Sequence, residues 1–136
     1  MMNRILVWYD PIWSFYAPFY AAIQTETGFL FHYCTKGLFG ALDEREFQRS
    51  VTAPGPKDFV LARAEILGKQ LEVVSPRARF QKTGRGRDGP EFSGWLKLQT
   101  EKKTYRFAVM GKHRAPELCR FFDVSDAELF IPPESP

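Results

Sequence analysis

The chain has 136 residues, 44% of them hydrophobic and 26% charged, and a formal net charge of +3 from 19 Lys and Arg against 16 Asp and Glu. That length suits one domain with one core, and so high an apolar fraction at so low a net charge excludes a disordered chain. Two cysteines are too few for a disulfide scaffold, and ten Gly and ten Pro without a repeat exclude collagen-like or low-complexity material.

Residues 4–9, Arg-Ile-Leu-Val-Trp-Tyr, read as a short strand that Asp10-Pro11 ends, because the residue before a proline is pushed out of the helical region. Ten of the 21 aromatics fall within the first 33 residues, so the front of the chain must either build most of the core or expose rings. Residues 20–25 and 28–35 form a hairpin around Thr25-Glu26-Thr27-Gly28, rich in β-branched and aromatic residues. Phe29, Phe31 and Tyr33 share one face of its second strand, and Leu30, His32 and Cys34 share the other. Residues 37–40 are a turn, and residues 43–49 are predicted as a short helix with Asp43 as N-cap.

Ala53-Pro54-Gly55-Pro56 is a break. Residues 58–71 carry a helical stripe (Val60, Ala64, Leu67, Leu71), but Gly68 inside it would cost about 1 kcal/mol. Two strands, 59–66 and 70–75, with a turn at Gly68-Lys69, fit better. Residues 76–90 are a Gly-rich basic loop. Residues 92–100 and 104–110 form the clearest hairpin, around Glu101-Lys102-Lys103. Residues 114–122 read as a helix that tolerates Pro116 in its first turn and carries Leu118, Phe121 and Phe122 on one face. Residues 124–136 are expected to be an acidic, Pro-rich tail.

The expected fold is a single mainly β (α+β) domain over residues 1–136. It would be a small antiparallel barrel or sandwich of about six to seven strands, rolled to hide its edges, with one short C-terminal helix. The longest apolar stretch, 15–23, is interrupted by Pro18 and is too short to span a membrane. No signal peptide is recognisable, so the chain is expected in the cytoplasm with Cys34 and Cys119 reduced.

This order of elements resembles the pleckstrin-homology/GRAM-like small β domains of bacteria. The resemblance rests on Gly28-Phe29-Leu30-Phe31, on the segment from Asp58-Phe59-Val60-Leu61 to Ile66, and on Gly94-Trp95-Leu96-Lys97-Leu98. Tyr105-Arg106-Phe107-Ala108-Val109 and the helix 115–122 complete it. It covers about residues 17–123 and is a pattern of strands and a helix. It implies a non-catalytic binder of lipid head groups or proteins. The closing helix is shorter than in such domains, and the aromatic stretch before Ala17 has no counterpart in them.

Among chemistry-bearing groups, Arg77, Arg79, Lys82, Arg85 and Arg87 stand out. Arg and Lys on a Gly-rich loop reach phosphate oxygens, Arg bidentately. The loop lacks the Gly-Lys-Ser/Thr ending of a nucleotide-binding Walker loop. Trp8, Trp13, Phe15, Tyr16, Phe19 and Tyr20 are the candidate interface for a protein partner or a second copy of the chain. His32, Cys34, His113 and Cys119 are the soft metal ligands besides Met, but their spacing matches no zinc pattern and no metal or other cofactor is expected. Cys34 with His113 is the one Cys/His pair for nucleophilic catalysis, and His113 between Lys112 and Arg114 is a candidate acid/base in phosphodiester cleavage. The serines lie in no nucleophile-elbow context. Asp43, Glu44 and Glu46 read as a solvated helix face.

These features favour a non-catalytic interaction module that binds a protein or an anionic partner, such as a lipid head group, through an aromatic surface and a basic loop. The alternative is a protein binding RNA or another single-stranded nucleic acid, with Phe80 and Trp95 as stacking candidates. A small hydrolase or nuclease ranks third. The net charge conceals a strong asymmetry. Residues 1–56 carry 4 basic and 5 acidic groups, residues 57–115 carry 14 and 6, and residues 116–136 carry 1 and 5.

Overall fold

The structure, a computed structural model, describes residues 3–9, 17–37, 40–74 and 92–131. It is mostly β. In chain order come β1 (Arg4–Tyr9), β2 (Phe19–Gln24), β3 (Gly28–Tyr33), the short ribbon β4 (Thr35–Lys36) and β5 (Ala41–Leu42), and helix α1 (Glu44–Gln48). Then follow β6 (Phe59–Ala62), β7 (Ile66–Val73), β8 (Phe92–Thr100), β9 (Thr104–Met110), helix α2 (Ala115–Phe122) and β10 (Leu129–Phe130). One sheet holds eight strands in the order β10-β7-β8-β9-β1-β2-β3-β6, antiparallel except where β10 runs parallel to β7.

The sheet is rolled, as its connectivity demands. Laid flat, six strand spacings would separate β6 from β7 by about 29 Å. Yet only a 3-10 turn, Arg63–Glu65, joins them, and four residue steps reach at most about 14 Å. The antiparallel ladders also make β6 and β7 point the same way. One bent stretch of chain therefore pairs with β3 through its first part and with β8 through its second. The barrel is not closed, since no ladder joins β6 to β7 among the described residues.

Alternation along each strand decides what lies inside. Ile5 and Val7, Tyr20 and Ala22, Phe29 and Phe31, Leu71 and Val73, Leu96 and Leu98, and Phe107 and Val109 all point into the roll. Leu118, Phe121 and Phe122 of α2 close one end of it. The helix ends at Asp123, whose left-handed backbone (φ 57°) lets Val124 N–H donate to the Cys119 carbonyl. The Gln24 amide donates to the Phe121 carbonyl at 2.8 Å, and Lys69 reaches the Asp123 carbonyl. Both contacts fasten the helix to strands.

Gly28 marks the closest approach of two backbones. A Cβ there would overlap the Leu61 carbonyl oxygen on β6. Gly28→Ala is expected to force β3 from β6 and to cost about 1–3 kcal/mol, read as a lower urea midpoint at unchanged slope.

Three expectations need revision. The break in residues 58–71 falls at Arg63–Glu65, not at Gly68-Lys69, and the two strands do not pair with each other. Gly68 instead sits at a bulge in the β7–β8 ladder. Residues 124–131 are not a free tail, because Val124 is buried, a 3-10 turn covers Asp126–Glu128 and β10 adds to the sheet. Among the described residues eight strands, against an expected count of about six to seven, make the sheet. The basic loop 76–90 lies outside the described residues.

Candidate functional site

The end of the roll opposite α2 is an aromatic mouth. Antiparallel register brings the inward residues at the ends of β1 and β3 together with those at the starts of β2, β6 and β9. Four of the five tyrosines gather there. Tyr9 lies 6.1 Å from Tyr20 and 6.1 Å from Tyr105, and Tyr20 lies 5.7 Å from Tyr33. Phe59 bridges them, 5.1 Å from Tyr20, 6.0 Å from Tyr9 and stacked on Tyr105 at 5.4 Å. All but Tyr20 are partly exposed.

Two lysines sit on these rings. The Lys103 ammonium lies 4.5 Å from the Tyr105 ring centre and 5.5 Å from that of Tyr9, and Lys57 lies 4.8 Å from that of Tyr33. Such placement holds a cation at low entropic cost against an apolar wall. A hydrogen bond to the Tyr9 phenol, stronger than the opposing effect of burial, pushes Lys103 above the usual lysine value. The Tyr20 phenol is pushed up to about 12, first by burial and then by the nearby Tyr33 and Tyr9 phenols. At neutral pH Lys103 is therefore an ammonium and the Tyr20 hydroxyl un-ionised. Beside it opens a cleft of about 450 Å³ walled by Val60, Leu67 and Tyr105, with Glu65, Glu101 and Lys102 as charged members.

The back of β3 carries a second cluster. His32 is only 5% exposed. Its Nδ1 lies 2.9 Å from Asp58 Oδ2 and its Nε2 lies 2.8 Å from Glu46 Oε2. The Asp58 side chain is 3% exposed. It also accepts from the Tyr33 and Gly55 backbone N–H groups at 2.8 Å each. Burial opposes the charged form of Asp58, but the hydrogen bonds from His32, Gly55 and Tyr33 outweigh it and hold the carboxyl below its ordinary value. Glu46 is held low first by Arg49, at 2.9 Å, and then by His32. Two carboxylate acceptors leave each ring nitrogen of His32 a donor, so the imidazolium is the form that fits. The cluster clamps α1 and residues 55–58 onto the sheet.

The structure separates the residues suspected of catalysis. Cys34 follows β3 and His113 follows β9, with β1 and β2 between them, about 14 Å of sheet. The Cys34 thiol is fully buried and pushed up to about 12, by burial first and then by Asp43, Glu46 and Asp58. His113 N–H donates to the buried Ser93 Oγ at 2.8 Å, and the His113 ring stands 4.0 Å from Glu117. Cys34 and Cys119 are both free. Among the described residues no group of three or more His, Cys, Asp or Glu is placed to hold a metal ion. Glu46 departs from the solvated-face reading of its helix, whereas Asp43 caps α1 by accepting from Glu46 N–H at 3.3 Å.

The aromatic front does not form one surface. Tyr20 belongs to the interior, 9% exposed. Trp8 and Phe19 lie on the opposite face of the sheet, stacked at 5.4 Å, in a smaller apolar cluster with Phe92, Trp95 and Met110. The Trp8 indole N–H donates to the Ala17 carbonyl at 2.6 Å. Trp13, Phe15, Tyr16, Phe80 and the five basic residues Arg77, Arg79, Lys82, Arg85 and Arg87 lie outside the described residues. Sequence reasoning passed over Lys57, Phe59, Lys103 and Tyr105 as a site. Inward tyrosines at strand ends were the signal available, since a tyrosine whose hydroxyl reaches water belongs at the rim of a core.

No protein-family model, no curated protein and no solved structure matches the chain. No helix among the described residues is long and apolar enough to cross a membrane, which says nothing of spanning by strands.

Proposed function

We propose that the protein is a non-catalytic binding module that takes an anionic, phosphate-bearing partner at its aromatic mouth. The observation that carries this reading is the set Tyr9, Tyr33, Phe59 and Tyr105 with Lys57 and Lys103 held on the rings. Ammonium groups and phenol hydroxyls both donate to phosphate oxygens, and the rings supply a dry wall that strengthens each such bond. The run Arg77, Arg79, Lys82, Arg85 and Arg87 adds positive charge to the same chain. A thiol pushed up to about 12, with two strands between it and His113, argues against Cys34 as a nucleophile.

The outer cluster of Trp8, Phe19 and Trp95 supports a second contact, with a protein partner or another copy of the chain. A rolled sheet with a helix over one end also suits a pleckstrin-homology-like architecture. We place the protein in the cytoplasm, where the free thiols of Cys34 and Cys119 are kept reduced.

Titration with inorganic pyrophosphate, followed by NMR, tests the reading. Saturable shifts at Tyr9, Tyr105 and Lys103 that weaken with added salt are expected. Lys57→Ala with Lys103→Ala should lower affinity about a hundredfold or more, since each lost charged hydrogen bond contributes about 1.5–3 kcal/mol, without changing Tm by more than a few degrees. Absence of any shift at the mouth would overturn the reading. Much tighter binding of single-stranded RNA than of pyrophosphate or anionic vesicles would replace it with the nucleic-acid reading, because rings beside lysines also suit base stacking.

A further inference from the structure

We infer that His32 is the catch of a proton-dependent latch: as an imidazolium it holds residues 43–58 against β3, and as a neutral ring it releases them and unsettles the aromatic mouth. The regulatory part rests on the mouth being the binding site; the latch itself does not.

The geometry carries the argument. One ring spans two carboxylates that belong to separate pieces of chain, Glu46 on α1 and Asp58 at the start of β6, at 2.8 and 2.9 Å. Neutral imidazole has one N–H. Losing a proton turns one of the two bonds into a lone pair facing a carboxylate oxygen, in a site nearly closed to water. At Asp58, whose side chain is 3% exposed, the carboxylate left behind is anionic and poorly solvated, which is costly; Glu46, 37% exposed, keeps water and Arg49.

The other ionisable groups around the catch do not replace it. Arg49 reaches Glu46 from the exposed end of α1. Arg4 on β1 spends its guanidinium on the Phe47 and Arg49 carbonyls, at 2.5 and 2.8 Å. Asp43 caps the helix. The Cys34 thiol and the Tyr20 phenol, on the β3 and β2 sides, both feel the Asp58 charge and stay neutral. Arg4, on β1, thus gives the released segment a tether at α1, so that opening is local rather than global.

The link to the mouth is covalent. Asp58 lies between Lys57, which sits on Tyr33, and Phe59, which bridges the tyrosines. Asp58 Oδ1 also fixes the Tyr33 N–H. Whatever frees Asp58 frees the lysine and the ring on either side of it.

Amide hydrogen exchange in the whole protein, with His32 ring signals followed by NMR as pH rises, tests the latch. After correction for intrinsic exchange, protection of the Asp43, Phe47 and Gly55 amides is expected to fall at least about tenfold as His32 loses its proton, while the β8–β9 hairpin keeps its protection. His32→Gln, which offers one donor at every pH, should show fast exchange at these amides with no pH step. Should that variant not fold, the wild-type titration decides alone. Unchanged protection as the ring titrates would overturn the latch. Pyrophosphate affinity, measured on both sides of the step, should fall at least about threefold on the neutral side. Failure to bind at any pH, with the exchange step intact, would remove the binding reading and leave the latch standing. Equal affinity on both sides would overturn the coupling.

Discussion

Replacing Asp58 by Ala is expected to destabilise the fold by about 3–5 kcal/mol, the usual cost of stripping one member from a buried charged cluster. The carboxylate answers three donors at once, the His32 ring and the Gly55 and Tyr33 N–H groups. An alanine would strand the His32 Nδ1 and the Tyr33 N–H, in a place where the Asp58 side chain is now 3% exposed, while the exposed Gly55 N–H turns to water. Asp58→Asn should lose less, since its amide keeps one acceptor oxygen but turns an NH2 group toward a donor. Urea unfolding at neutral pH measures both. The same carboxyl shapes the acid limb of stability. Asp58 and Glu46 titrate lower in the folded chain than in the unfolded one. Their contribution is therefore complete above the ordinary carboxylate range of about 4 and is lost as pH falls through the lowered values of the folded state. In Asp58→Asn the Tm should vary less steeply with pH below about 4, which a series of melts from pH 6 to pH 2 would show.

Phe107→Ala is expected to cost a similar amount, about 3–5 kcal/mol, by a different route. Phe107 is fully buried on β9, stacked on Phe31 across the roll at 4.9 Å and edge-on to Tyr9 at 5.2 Å. Removing it opens a cavity between the two walls of the sheet, where rigid ladders prevent collapse. Its loss should be insensitive to pH between 2 and 6, whereas that of Asp58→Ala should shrink as pH falls below about 4. Parallel urea titrations at the two ends of that range separate the mechanisms. Phe107→Leu, which refills most of the volume, should recover over half of the loss.

Much of this fold is legible in the amino-acid order, for reasons that differ by segment. The strands at 92–100 and 104–110 announce themselves by alternation on either side of a polar turn, and that at 4–9 by a run of β-branched and aromatic residues stopped by Asp10-Pro11. Asp43 likewise announces α1. The break at Arg63-Ala64-Glu65 is silent, since it contains neither Gly nor Pro, and the nearest Gly marks a bulge instead. Local patterning also cannot say that the segments on either side of that turn serve opposite ends of one sheet. The His32 cluster was half readable: the ring and Glu46 are both conspicuous, but Asp58 arrives from 26 residues away, and alternation only says that His32 faces the back of the sheet, not what covers it. The aromatic mouth is a product of register. Each tyrosine can be assigned inward from its own strand, yet their meeting at one end depends on where neighbouring strands pair, which no single strand encodes.

The strand order has a kinetic consequence. β6-β3-β2-β1 and β10-β7-β8-β9 are two four-stranded halves, each made from one continuous half of the chain. Among the described residues only the ladder of Val7 with Val109, Trp8 with Ala108 and Tyr9 with Phe107 stitches them together through the sheet. Within each half most pairings are local and close quickly; the stitch must wait for residues about one hundred positions apart to meet, the slow part of assembling a rolled β fold. On a ribosome the amino-terminal half would emerge with β1 as a bare edge, its Val7-Trp8-Tyr9 backbone unpaired until β9 is synthesised. That interval is when this protein is most open to pairing with the wrong strand.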